Sequence, residues 1–229
     1  MHFQRKEIYM KKYFEVLREC PLFTGIKEAD IESMLRCLSA TQKRYKRNTF
    51  IWSEGEATEN IGIVLTGAVH IMREDFWGKR NILTRVESGG LFGEAFACAG
   101  VENLPVSVMA AEDSEILFVN CKRVMTSCSS SCAFHLSLIK NLTLILARRN
   151  VMLTQKLEHI TQPTTREKLL SYLSERARLS ETGAFDIPFN REELADYLSV
   201  ERSAMSAELS KMKKDGLILY RKNHFELLK

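Results

Sequence analysis

The sequence predicts an α+β chain in three parts: a β-sandwich or barrel of short strands, one long self-pairing helix, and two capped helices followed by a hairpin. Three observations carry this prediction. Residues 44–119 are rich in β-branched side chains and broken by frequent glycines. Residues 131–161 repeat apolar side chains every three or four positions, and two capping boxes open short helical faces beyond Pro163. The corresponding domains are 1–130, 131–162 and 163–229.

The chain leads with helical periodicity over about 10–40, interrupted at "CPLF" (20–23). "NIGIVLTGAVHIM" (60–72) then reads as strand, punctuated by Gly62 and Gly67; "NILTRV" (81–86) reads likewise, with a turn at Gly78 between them. Short strands with many glycines argue for a sandwich or barrel rather than a parallel sheet. "GGLFGE" (89–94) has neither dinucleotide-loop nor P-loop spacing, which speaks against an enzyme of those classes.

In the long helix, Ile139, Leu142, Leu146, Asn150, Leu153, Leu157 and Ile160 follow one another by three or four residues, close to a coiled-coil repeat. One helix laid on a barrel buries a broad stripe. A narrow seam kept for three heptads points to pairing with a second copy, Asn150 facing its twin and fixing the register. The alternative is that the stripe packs on the chain's own β-domain. Pro163 stops the helix, because it lacks an N–H and restricts Gln162.

"TTRE" (164–167) opens the next helix, with Leu169, Leu173 and Ala177 on one face. "GAFDIPFN" (183–190) alternates as a short strand, and "NREE" (190–193) caps the helix that holds Leu194, Ala195 and Leu198. A break at Ser199–Val200 precedes a final helix, and "LILYRKNHFELL" (217–228) alternates as a hairpin folded about Lys222–His224. Helix, break, helix and hairpin is the winged helix-turn-helix pattern. Met205, Leu209 and Met212 would pack inward, leaving Glu201, Arg202, Ser203, Ser206 and Ser210 outward. Short polar side chains and an Arg on that face suit a major groove, with Arg202 the candidate base reader through a bidentate contact to guanine. Lys211, Lys213, Lys214, Arg221 and Lys222 would reach phosphates. The competing reading is a solvated charged face, and residues 161–229 hold twelve basic against eleven acidic residues, so arrangement rather than bulk charge carries the argument.

With 229 residues, 45% apolar and 27% charged, the chain has the composition of a globular protein, and its net charge of +4 is weak evidence for a polyanionic partner. The start lacks the apolar core of a secretory signal. The most apolar stretch, "LSLIKNLTLILARRN", is broken by Lys140, Asn141 and Arg148–Arg149, so the reading is a cytoplasmic protein without membrane contact. Six cysteines without a C-x-x-C pair suit reduced thiols. Cys128, Cys132 and His135 have the spacing of one helix face and are candidates for a metal or redox site, although a fourth ligand is not evident. A thiol enzyme using Cys98 or the Cys128/Cys132 pair would need a base and an oxyanion site that the sequence does not supply, so no catalytic activity is expected.

"PLF" (21–23), "EGE" (54–56), "VLTGAVHI" (64–71), "GLFGE" (90–94) and "REELADYLSVERSAMSAELSKMKKDGLI" (191–218) stand in the order and spacing of the Crp/Fnr family, which the chain resembles over nearly its whole length. The resemblance implies an N-terminal cyclic-nucleotide-binding-type β-roll, a long dimerisation helix and a C-terminal winged helix-turn-helix. It implies a ligand- or redox-gated transcription regulator, with double-stranded DNA, a second copy, a small organic effector and RNA polymerase as compatible partners. The departures bear on the effector. Gly93 and Glu94 match the phosphate loop, but Leu104 and Pro105 stand where nucleotide-binding members carry an Arg-Ser pair, and an unpaired phosphate in a sheltered site is poorly compensated. The position that gives a hydroxyl to adenine is Leu153, followed by Thr154. Cys20 and Cys37 do not make the clustered set of iron–sulfur members, and nothing specifically supports haem. Gly93, Glu94, Leu104, Pro105, Val106, Leu153 and Thr154 are therefore the candidate effector pocket, for an aromatic or acidic organic molecule rather than a cyclic nucleotide; an empty, constitutively competent pocket is the alternative. Arg202 matches a reading Arg of some members, while Ala207 replaces a second, which alters readout at one base pair. The rival function is a ligand-binding module that docks proteins through its winged helix.

Overall fold

The structure, a computed structural model, describes residues 12–74, 80–126, 133–180 and 183–228. The expected turn at Gly78, the pair Cys128 and Cys132, and the first residues assigned to the long helix lie outside the described residues. The chain divides into two compact units, Met1–Leu146 and Ala147–Lys229. The division falls inside the long helix, not at either of its ends.

The first unit begins with α1 (Phe14–Glu19), a 3₁₀ turn (Pro21–Phe23) and α2 (Glu28–Cys37). Eight strands follow: β1 (Thr41–Tyr45), β2 (Phe50–Trp52), β3 (Asn60–Thr66), β4 (Ala68–Glu74), β5 (Arg80–Glu87), β6 (Leu91–Phe92), β7 (Ser107–Ala110) and β8 (Ser114–Asn120). They form two four-stranded antiparallel sheets, ordered β1-β8-β3-β6 and β2-β7-β4-β5. Helix α3 (Glu94–Ala99) lies between β6 and β7, and α4 (Cys121–Met125) follows β8.

β3 is buried almost throughout because it has two apolar faces to cover. Val64, with Ile116 and Phe118 of β8, joins Ile51, Val69, Phe92 and Val108 in one core. Ile61, Ile63 and Leu65, with Leu117 and Val119, point the other way, into a second core with Leu17, Phe23, Met34, Leu35 and Leu38. Strand periodicity of two sends successive side chains to opposite faces, so a strand roofed on both sides reads as a continuous apolar run. That is why residues 61–65 show no alternation in sequence.

Helix α5 (Ala133–Ile160) contributes Leu138 and Leu142 to the second core, with Phe134, Ile145 and Leu146 packed at its edge. This corrects one assignment: Leu142, 3% exposed, belongs to the chain's own core and not to a self-pairing seam. With Leu142 turned inward, Thr143 takes its place, and Leu136, Ile139, Thr143, Leu146, Asn150, Leu153, Leu157 and Ile160 step by alternating threes and fours. That is the strict heptad the sequence only approximated. Leu136, Leu153 and Leu157 are 75%, 62% and 56% exposed.

The second unit holds the end of α5, then α6 (Thr165–Arg178), β9 (Ala184–Asp186), α7 (Arg191–Leu198), α8 (Arg202–Lys214), β10 (Ile218–Arg221) and β11 (His224–Leu227). Both anticipated capping boxes form: Thr164 with Glu167, and Asn190 with Glu193. The strand expected over 183–190 stops at Asp186, before Pro188, and pairs with β11, so the wing is a three-stranded sheet ordered β10-β11-β9. Its turn is Lys222–Asn223, one residue shorter than read, because His224 already pairs with Arg221. Leu169, Leu173, Leu194, Leu198, Met205, Leu209, Met212, Ile218 and Phe225 close one core.

Candidate nucleic-acid interface and effector site

Helix α8 is held by its apolar side. Met205, Leu209 and Met212 are almost wholly buried, and their spacing of four and three keeps them on one stripe. Arg202, Ser203, Ala204, Ala207, Ser210 and Lys211 are consequently exposed along the opposite side. The turn from α7 depends on Ser199, which adopts a left-handed conformation (φ 52°), and on the bond from the Val200 N–H to the Ala195 carbonyl. Lys168 of α6 reaches the Leu198 and Ser199 carbonyls at 3.4 Å, placing a cation at the C-terminal end of α7.

The exposed residues differ in how free they are. Glu201 is the N-cap of α8: its carboxylate accepts the Ser203 and Ala204 N–H groups at 2.9 and 2.7 Å and the Ser203 hydroxyl. The Ser203 hydroxyl, and next the two N–H groups, hold the Glu201 carboxyl below its ordinary range. Glu201 thus sets the start of α8 rather than serving as a loose polar contact. Ser206 donates to the Arg202 carbonyl at 2.9 Å and Ser210 to the Ser206 carbonyl at 3.0 Å, so both hydroxyls fold back on the helix. Lys211 is 3.7 Å from Glu208, which also meets Arg166 at 3.6 Å. Arg166 pairs with Asp215 as well, tying α6 to both ends of the last turns of α8.

On the wing, Arg221 and Lys222 are exposed. Lys222 sits at the hairpin tip with φ 55°, its carbonyl accepting from Arg191 at 2.8 Å. Arg191 lies across the Tyr220 and Phe225 rings at 4.9 and 5.0 Å, and burial there pulls its pKa down. The tip of the wing and the start of α7 border a cleft of about 520 Å³, lined by residues including Phe189, Arg191 and Lys222.

His159, near the end of α5, has no counterpart in the sequence reading. It is 2% exposed, with Nδ1 2.8 Å from the Ser171 hydroxyl and Nε2 2.8 Å from the Glu175 carboxylate. A carboxylate only accepts, so Nε2 carries a proton. The Tyr172 ring lies edge-on at 5.6 Å. This set joins the end of α5 to α6 across Gln162–Pro163, and a lone His in sequence carries no signal of it.

In the β-domain, Gly93 has φ 78° and lies under the Trp52 ring: a Cβ there would be 2.4 Å from the indole. Both features require glycine. Trp52 packs on Phe92 and Phe118 with ring centroids 5.0 and 5.8 Å apart, so the indole that covers the turn opening α3 is itself held by two aromatic side chains. Glu94 is fully buried, Leu104 and Val106 are buried and Pro105 is exposed. The Leu104 N–H and C=O bond to Glu56 and Gly55, joining its loop to the "EGE" turn. Leu153 and Thr154 belong to the second unit, where both are exposed and the Thr154 hydroxyl donates to the Asn150 carbonyl. Of the cysteine–histidine candidates, His135 is buried with Nε2 3.9 Å from the Cys37 sulfur. Among the described residues no group of three or more His, Cys, Asp and Glu could hold a metal, and no helix is long and apolar enough to cross a membrane.

Two family profiles match in series: the cyclic nucleotide-binding domain over residues 42–130 and the Crp-like helix-turn-helix domain over 167–229. The chain belongs to the Crp/Fnr family of regulators. This regulator is similar in fold to the catabolite activator protein of Thermus thermophilus, with 22% identity, TM-score 0.55, and 91% of this chain and 93% of that one covered. The c-di-GMP responsive global regulator CLP of Xanthomonas campestris aligns with 19% identity and TM-score 0.55, covering 89% of this chain and 100% of that one. The sensor domain of the transcriptional regulator DNR of Pseudomonas aeruginosa aligns with 20% identity and TM-score 0.51, covering 72% and 99%. A potassium channel, KAT1 of Oryza sativa subsp. japonica, is 26% identical over 120 residues, 52% of the regulator but only 16% of the channel's length. The regulator therefore combines a sensing domain of the cyclic nucleotide-binding fold with a Crp-like DNA-binding domain.

Proposed function

We propose that the chain works as a homodimer whose two α8 helices enter successive major grooves of a two-fold symmetric operator, under the control of a small organic effector other than a cyclic nucleotide. The observation that carries this is α8 itself: one stripe is locked in the core by Met205, Leu209 and Met212, and the opposite side exposes Arg202 beside small residues. A probe so held reads base edges without paying for its own ordering. Dimerisation rests on the heptad of α5, in which Leu136, Leu153 and Leu157 are exposed, with recognition helices about 34–36 Å apart as two-fold operators require. Arg202 is the base reader, while Lys211, Arg221 and Lys222 take phosphates.

The effector reading is supported by what surrounds Gly93. The Trp52 ring covers the turn, backed by Phe92 and Phe118, and Leu104 and Pro105 occupy the places of a phosphate-binding pair. Aromatic rings favour a flat, largely apolar ligand, whereas a cyclic phosphate would lack its cation. Coupling to DNA requires that the ligand prefer one dimer arrangement, typically by about 1–3 kcal/mol.

Selection of bound fragments from random duplexes, followed by mobility-shift titration, tests the DNA reading. Arg202→Ala should weaken selected sites about 5- to 150-fold, corresponding to about 1–3 kcal/mol, and leave random duplex nearly unaffected. Equal losses on both would remove Arg202 as a reader. Retention of no fragment at low salt would favour a protein-docking module instead. Cyclic AMP binding with micromolar affinity would overturn the effector reading.

A further inference from the structure

The sulfurs of Cys98 and Cys121 lie 2.9 Å apart, although both thiols are free. A disulfide needs about 2.03–2.05 Å between sulfurs, so closing the gap takes roughly 0.9 Å. The two residues come from different elements. Cys98 is in α3, the helix that starts at the Gly93–Glu94 turn, and Cys121 is the first residue of α4, directly after β8. Their environments are unequal: Cys121 is 1% exposed in the core, while Cys98 is half-buried at its edge. Among the other described thiols, Cys20 is fully buried and Cys37 neighbours His135.

We propose that Cys98 and Cys121 form an oxidisable dithiol pair, with a peroxide as the oxidant, Cys98 as the first sulfur to react and Cys121 as its resolving partner. In the first step the Cys98 sulfur attacks one oxygen of hydrogen peroxide, the O–O bond breaks, and water leaves with the thiol proton. Cys98 is then a sulfenic acid. In the second step the Cys121 sulfur attacks the Cys98 sulfur, the S–O bond breaks, and the hydroxyl leaves with the Cys121 proton as a second water. Two thiols and one peroxide thus give one disulfide and two waters, each sulfur losing one electron and the peroxide gaining two. The order follows from access and from burial. Oxidant reaches the half-buried Cys98, whereas burial, reinforced by the neighbouring Cys98 thiol, pushes the Cys121 thiol up to about 12.

The bond would tie the helix behind the Gly93–Glu94 turn to the end of β8, the strand that carries Phe118. Nothing in this requires that DNA be the output.

Peptide mapping of the full chain decides the matter. Reduced protein is exposed to a small excess of hydrogen peroxide, quenched with N-ethylmaleimide, and digested with Glu-C and trypsin together. Glu-C can cut at Glu102, Glu112 and Glu115 between the two cysteines, and trypsin at Lys122 and Arg123 parts Cys121 from Cys128 and Cys132. The expected product is a cross-linked pair of peptides containing Cys98 and Cys121, restored to free thiols by dithiothreitol. In Cys121→Ser, Cys98 should instead accumulate a dimedone adduct. In Cys98→Ser, no adduct should appear at Cys121. If a serine variant does not fold, the wild-type map and a Cys121→Ala variant carry the same test. Full maleimide labelling of both thiols after peroxide, or a dominant disulfide joining Cys98 to any other cysteine, would overturn the proposal.

Discussion

Leu142 and Leu153 were indistinguishable in the sequence, yet the structure gives them opposite roles, and alanine at each position should separate those roles cleanly. Leu142 is 3% exposed inside the core that also holds Leu138, Leu117 and Val119. Removing a buried leucine side chain to alanine costs about 2–5 kcal/mol. For a chain of this size each kcal/mol lowers the melting temperature by about 2–4 °C, so Leu142→Ala should melt about 4–20 °C lower. Leu153 is 62% exposed, and a surface truncation usually changes stability by no more than about 0.5 kcal/mol. If its exposed part is covered by a second copy, burial contributes about 1–2 kcal/mol per chain, scaled from the value for a fully buried leucine. Two such side chains per dimer give about 2–4 kcal/mol, a rise in dimer Kd of roughly 30- to 700-fold. Sedimentation equilibrium over a range of concentrations measures the second quantity, and thermal unfolding at a fixed high concentration the first. Loosening of the dimer by Leu142→Ala without a lower unfolding midpoint, or a lower midpoint with unchanged association in Leu153→Ala, would refute these roles.

Three further outcomes are expected. Asn190→Ala removes the cap that accepts the Glu192 and Glu193 N–H groups, and should cost about 1 kcal/mol, while Asn190→Asp should keep most of the stability; urea titration followed by far-UV circular dichroism compares them. Gly93→Ala places a Cβ 2.4 Å from the Trp52 ring at φ 78°, and should cost at least about 1–3 kcal/mol. In a Trp77→Phe background its emission should also shift, and an unchanged spectrum with an unchanged midpoint would show that the ring does not sit there. For Glu201, the Ser203 hydroxyl and then the backbone N–H groups lower the folded pKa below the ordinary 4.5. The bound carboxylate therefore stabilises α8 above that ordinary value, and the contribution is lost as pH falls through the folded pKa. The stability gap between wild type and Glu201→Gln should be greatest above about pH 4.5 and shrink on acidification; a gap that widens toward low pH would contradict the capping role.

Where local chemistry decides structure, the sequence was legible. Thr164 with Glu167 and Asn190 with Glu193 announce helix starts, because capping needs only neighbours three residues apart. Met205, Leu209 and Met212 announce the buried side of α8 for the same reason. In sequence Glu201 is one polar residue among several, since nothing in "SVERSA" tells a cap from a contact until the backbone turns at Ser199. The sulfur pair leaves no local signal, because Cys98 and Cys121 are 23 positions apart. His159 leaves none either, because its partners, Ser171 and Glu175, meet it only after the chain reverses at Pro163. Over 61–65, two-sided burial erased the alternation by which strand faces are recognised.

What the sequence determined alone was the order of parts and their local ends: strands, a long apolar-striped helix, and two capped helices with a wing. These follow from periodicity and capping, which act over a few residues. Tertiary structure decided which side of α5 turns to the core, that an indole covers Gly93, and that two thiols from separate helices face each other at 2.9 Å. A helix stripe states only that an apolar face must be covered; what covers it depends on surfaces contributed by distant segments, and those meet only when the chain has folded.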